Sequence, residues 1–327
     1  MARRTLVLAA LLVALAAATI ASLALGAVKV PLADTLDILF GSGGSASDRQ
    51  IIEVLRLPRT VEALIVGAAL GVAGAVLQGA LGNPLASPDV IGVTGGAGFG
   101  AILVIIAFPG SIALLPASAL FFGLLAATLV FLFAWTGRNR GGTTKVILAG
   151  IAMLSLFTAG TTGLLAAFPE RAPSAIFFIA GGLTSSGWRE LETVWPYFAV
   201  GFLFALALVR PLDRLALGDD VAASLGSKPQ AIRLGAGVAA ALLAAASAAI
   251  AGLLGFLGLV VPHVVRMAGG TSSHTFVIPA SAIGGAALLA AGDTLARTLR
   301  APIEMPVGPF MVLLGVPLFL WLLRRAI

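Results

Sequence analysis

A chain of 327 residues that is 59% hydrophobic and only 10% charged, with a mean hydropathy of +1.08, is too apolar for a water-soluble globular domain and is built to lie in a membrane. Its lack of cysteine excludes a disulfide framework and a thiolate metal site, and its two histidines, His263 and His274, are too few for a histidine cluster. The net charge of +6 does not imply nucleic acid, because Lys and Arg at cytosolic span ends are expected of any multi-pass membrane protein.

Apolar runs of spanning length predict an all-α fold of about ten transmembrane helices, near 6–26, 60–81, 91–108, 112–135, 145–167, 192–209, 231–254, 255–268, 276–298 and 307–323. The first run follows Arg3 and Arg4 like the core of a secretory signal, but it extends to about Ala27 and is expected to remain as an uncleaved span. In the second, Gly67, Gly71, Ala75 and Gly79 fall four apart, a stripe of small residues that lets helix backbones approach closely. Gly95, Gly96, Gly98 and Gly100 of the third have the same packing role. No Gly-Lys-[Ser/Thr] occurs anywhere, so any ATP used must bind to another subunit. The fifth opens on Thr143 and Thr144. The eighth is short, glycine-rich and almost continuous with the seventh, so the two can also be read as one helix and a re-entrant piece.

An even number of spans places both termini on one side, and Arg3, Arg4, Arg324 and Arg325 make that side the cytosol. Basic residues then collect in the cytosolic connections. Arg56, Arg59 and Arg297 fall on the outer side, against that tendency.

The connection between the sixth and seventh spans, near 212–228, carries a short helical pattern. Leu217, Val221 and Leu225 lie four apart on one face, and Asp219 and Asp220 suit the positive end of a helix dipole. Arg210-Pro211 and Lys228-Pro229 bracket and stiffen it. A mere connection has no use for such a face, so a body outside the bilayer is expected to grip it. The alternative is a helix lying on lipid, although such helices are rich in Lys and Arg and residues 217–226 have none.

Several ordered motifs resemble one known family. These are Arg56-Leu57-Pro58-Arg59, the run from Gln78 to Pro88 with Asn83 and Pro84, and the coupling-like segment from Leu217 to Gly226. Downstream come Gly255 to Arg266 with Gly258, Pro262, His263 and Arg266, then the run from Ala290 to Gly308 with Pro306 and Gly308, and Gly315 to Leu323. Together, from about residue 50 to the C-terminus, they resemble the permease family that imports ferric siderophores, haem and cobalamin.

The resemblance implies one transmembrane permease domain over 1–327 in a type II ABC importer of the bacterial cytoplasmic (inner) membrane, with both termini cytosolic. Its expected partners are a second copy of the chain in a homodimer, two ATPase subunits, an external substrate-binding protein and membrane lipid, with no nucleic acid. ATP and Mg would sit on the partner ATPase; this chain would bind no cofactor or metal and hold no catalytic residue. The resemblance assigns Leu217, Gly218, Asp219, Asp220, Ala222, Leu225 and Gly226 to ATPase coupling.

It assigns Arg56, Arg59 and Arg297 to carboxylates of the binding protein through guanidinium pairing. Snorkelling to headgroups, or pairing with Glu53, Glu62 or Asp293, is the alternative. Thr143 and Thr144 would form a cytosolic gate, or Thr143 would only cap its helix. The expected cargo is an iron chelate, a ferric siderophore first, with haem or cobalamin as alternatives, moved by alternating access. The rival from another class is an ion-coupled secondary transporter, in which Asp293, the deepest acid, would bind a proton.

Overall fold

The computed structural model describes residues 2–28, 30–41, 43–135, 143–183 and 187–326, whose regular secondary structure is entirely helical. The helices are α1 (Ala2–Ala24), α2 (Leu32–Leu39), α3 (Ala46–Arg49), α4 (Leu57–Leu81), α5 (Val93–Ala107), α6 (Leu115–Trp135), α7 (Thr143–Ala167), α8 (Ala172–Ala180), α9 (Trp188–Leu215), α10 (Asp219–Ser224), α11 (Pro229–Ala251), α12 (Leu257–Gly269), α13 (His274–Thr298) and α14 (Val307–Ala326). A π-helical stretch, Gln50–Arg56, joins α3 to α4 without a break. Each predicted span overlaps one helix, while α2, α3, α8 and α10 are short additions between them.

Among the described residues, seven helical stretches are long and apolar enough to cross a membrane, and Val93–Ala107, Leu257–Gly269 and Val307–Leu320 are shorter apolar helices. The 15 residues of α5 rise about 22 Å, less than the hydrocarbon thickness of about 30 Å.

The core is formed by α4, α11 and α13, whose residues are mostly buried, whereas α1, α7 and α9 turn most of theirs outward. The glycine stripe of α4 explains the tightest contact: a Cβ on Gly67 would fall on the carbonyl oxygen of Gly285, and one on Gly71 on that of Ser281. These pairings run α13 antiparallel to α4 along its length. On another face of α4, Gly74 meets the backbone of Gly258 at the start of α12.

The seventh and eighth predicted spans are separate helices. Between them, Gly252 and Phe256 adopt positive φ, at 64° and 66°. Non-helical backbone at membrane depth is tolerated only where protein or a cavity satisfies it, and protein does so here. The N–H of Gly182 donates to the Ala251 carbonyl at 2.8 Å, and the Phe256 N–H donates to the Asp89 carboxylate. Asp89 also accepts from the Thr94 hydroxyl at 2.6 Å.

Candidate coupling surface and the charge network at the opposite end

The short helix α10 is held out from the bundle on two left-handed glycines, Gly218 (φ 100°) and Gly226 (φ 77°), a conformation that costs a residue with a Cβ. Leu217, Val221 and Leu225 project from it at 60%, 46% and 55% exposure. Gly218, Asp220 and Gly226 are exposed as well. Ala222 is fully buried, because the face opposite the leucines seats the helix on its own chain. Among the residues assigned to ATPase coupling, Ala222 is thus the one turned inward, and Val221 joins the outward set.

Asp219 is anchored. Both of its oxygens accept from Arg233 of α11 at 2.8 Å, and this hydrogen-bonded guanidinium holds the carboxyl below the usual aspartate range. Arg233 Nε also donates to the Ala80 carbonyl at the end of α4, at 3.1 Å. Nearby, Asp213 of α9 caps α13: it accepts the backbone N–H of His274 at 2.6 Å and the Ser273 hydroxyl at 3.1 Å, and pairs with His274 Nδ1 at 2.8 Å. An acid at a helix N-terminus is a favourable dipole arrangement. Thus α9 and α10 are tied directly to α4, α11 and α13. Sequence reasoning counted Arg233 and Asp213 only among the cytosolic charges and gave them no role in the site, since their partners lie 14 and 61 residues away.

The motif residues surround this end. Gln78 Nε2 donates to the Leu259 carbonyl at 3.1 Å, and Asn83 Oδ1 accepts the Leu85 N–H at 2.9 Å, forming the turn after α4. Pro262 is buried inside α12, and His263 and Arg266 follow it, both partly exposed. At the start of α14, the Gly308 N–H donates to the Gly181 carbonyl at 3.0 Å, and Pro306 packs by Gly182. The N-terminus lies at the α10 end, where Arg3 donates to the carbonyls of Met267 and Ala268 as they close α12. Thr144 is exposed at the start of α7; the side chain of Thr143 lies outside the described residues.

At the opposite end, Arg56, Arg59 and Arg297 are all buried. Arg59 makes a bidentate pair with Asp293, at 2.9 Å for both bonds, and a third bond to Glu304 at 2.6 Å. Arg297 Nε lies 3.7 Å from Asp293, and its terminal nitrogen donates to the Ser22 carbonyl. Arg56 donates to the last carbonyls of α1, those of Leu23 and Ala24, at 2.7 and 2.9 Å. Pairing with Asp293, rather than with Glu53 or Glu62, is the arrangement observed for Arg59 and Arg297. In this conformation the three expected docking arginines are engaged within the chain. Among the described residues, no group of three His, Asp or Glu side chains is placed to hold a metal ion.

A bundle of long apolar helices with a short helix projecting from one end has the form of a membrane transport subunit. The FecCD transport family model matches residues 12–325, and the chain belongs to that family. It is 37% identical over 308 residues to an iron(3+)-hydroxamate import system permease protein of Bacillus subtilis (strain 168), covering 93% of this chain and 79% of that one. It is 38% identical over 280 residues to a hemin transport system permease protein of Yersinia pestis, covering 83% and 82%. A solved inward-facing structure of a protein assigned to the metal-chelate type of ABC transporter superposes with a TM-score of 0.85 at 32% identity, covering 97% of this chain and 98% of that one. The chain is therefore a multi-pass permease of an ABC importer for iron chelates or hemin, working with a separate ATPase and a binding protein. That membership sets aside the ion-coupled secondary transporter.

Proposed function

We propose that this chain is the permease of a ferric-siderophore importer that works by alternating access as a homodimer, with α10 as the helix gripped by each ATPase subunit. The observation that carries this reading is the exposed Leu217–Val221–Leu225 face on a helix pinned to α11 and α4 through Asp219 and Arg233. A rigid helix so tied passes on the movement of whatever holds it. The α10 end is then cytosolic, with both termini there, and ATP and Mg belong to the ATPase. The single permease domain makes ten crossings, counting the three shorter apolar helices.

In the same reading, α7 faces the second copy. Its exposed surface combines Leu148, Ile151 and Leu156 with hydroxyls, and Thr158, Thr161 and Thr162 line a cavity of about 340 Å³ with Asp89 and Phe99. That polar strip is suited to a passage on the dimer axis, and Thr144 stands where a cytosolic gate would close. Outside, Glu304, whose side chain is 43% exposed, is the accessible member of the arginine cluster. Its bond to Arg59 is the one a binding-protein carboxylate would replace on docking. The relatives carry hydroxamate and hemin in their names, so haem remains the second cargo.

Leu225→Asp places a charge on the gripped face without touching the bundle. It should abolish ATP-driven uptake of a ferric hydroxamate in proteoliposomes and uncouple the ATPase, with normal insertion and melting. Uptake at the unaltered rate overturns the role of α10.

A further inference from the structure

Behind α10 lies a cavity of about 440 Å³, lined by Gln78, Asn83, Asp219, Arg233, Arg266 and His274 among others. Its charged groups divide unequally. Asp219 and Arg233 hold each other, and His274 is paired with Asp213. Arg266 makes no side-chain hydrogen bond or ion pair among the described residues, and its Nη2 atom is buried without an acceptor. An arginine cannot shed its charge, and a half-buried guanidinium left unpaired favours an anionic partner. An occupant that fits brings an anionic acceptor to the partly exposed Arg266 side chain, which a carboxylate supplies.

Gly218 and Asp219, both exposed, form one wall of the cavity, which therefore lies beside the start of α10. We infer that this cavity is a socket for an acidic side chain of the ATPase subunit, anchored by Arg266. The inference rests on the proposed docking of the ATPase at α10, and it adds a charged anchor beside that apolar contact. A protein carboxylate is favoured over a lipid headgroup because residues 217–226 at the rim have no Lys or Arg to hold a membrane surface.

The test uses the full transporter in nanodiscs of phosphatidylcholine and phosphatidylserine. Arg266→Lys puts an amine in the socket, and a zero-length carbodiimide joins an amine only to a carboxylate in contact with it. The expected product is an amide between position 266 and an Asp or Glu of the ATPase, mapped by mass spectrometry. Coupling to the phosphatidylserine carboxylate instead, or no coupling, overturns the inference.

In parallel, Val221→Cys carrying a benzophenone, the sole cysteine of the chain, reports on α10 itself. Failure to photo-cross-link the ATPase would sink the docking reading, whereas its success without an amide at position 266 sinks only the socket. Arg266→Met should weaken ATPase binding roughly 30-fold or more while the permease melts normally. Affinity within twofold of the unaltered protein also overturns the socket.

Discussion

The most consequential residue outside α10 is Asp293, because two buried arginines depend on its carboxylate. Removing one member of a buried pair strands the other charge, whereas replacing both with apolar groups of similar volume is often neutral. Asp293→Leu alone should therefore cost about 3–5 kcal/mol, read as a fall in melting temperature in detergent. Arg59→Met combined with Asp293→Leu should recover a large part of that loss, and a double variant no more stable than the single one would refute the pairing as the cause. Asp219 gives a pH prediction. Its folded pKa is depressed, so its bond to Arg233 contributes at neutral pH and is lost as pH falls through the folded value, below the ordinary aspartate value of about 3.9. A spin label on Val221→Cys should keep constant mobility from neutral pH down to that point and loosen beneath it, while Asp219→Asn should be loose already at pH 7. The sequence revealed Leu217, Val221 and Leu225 as a face because a four-residue spacing is local. It left the partners of Arg59 open, since Asp293 and Glu304 lie 234 and 245 residues away and only packing joins them.

At the scale of elements, hydropathy located every long helix because a span needs an unbroken apolar run, and that property is read from neighbours in the chain. The helices α2, α3 and α8 escaped it, being too short to stand out from connecting segments of similar composition. The division between α11 and α12 was foreshadowed by the short, glycine-rich segment that opens at Gly255 and Gly258, although the break itself begins earlier, at Gly252. What composition could not show is that Gly258 belongs to the packing of α4. Since a Cβ on Gly74 would collide with the Gly258 backbone, which cannot rotate aside, Gly74→Ala should lower the thermal aggregation midpoint. Gly74→Val should lower it further, in line with overpacking costs of about 1–3 kcal/mol or more. Gly235→Ala, at a glycine of α11 whose added Cβ would meet only the Leu208 side chain at an ordinary 3.4 Å, is the control and should leave the midpoint unchanged or raised. Equal behaviour at positions 74 and 235 would mean that the α4–α12 contact is loose.

Across the whole molecule, α4 and α13 run side by side from one charged end to the other. At the α10 end α4 is bonded to α11 through the Ala80 carbonyl and Arg233, and α13 to α9 through the His274 N–H and Asp213. At the far end they are tied to each other by Arg59 and Asp293. A pair fastened at both ends moves as a unit, so events at the two faces are coupled, and coupling between binding sites is reciprocal. The affinity of the transporter for its binding protein should accordingly differ between the nucleotide-free and ATP-analogue states, by about 5-fold or more. In the Arg59→Met, Asp293→Leu double variant that ratio should fall towards one. Absolute affinity also drops in this variant if Arg59 itself docks the binding protein, which is why the ratio is the quantity to follow. A ratio unchanged in the double variant, in a protein that still melts normally, would show that the two ends communicate by a route other than the α4–α13 pair.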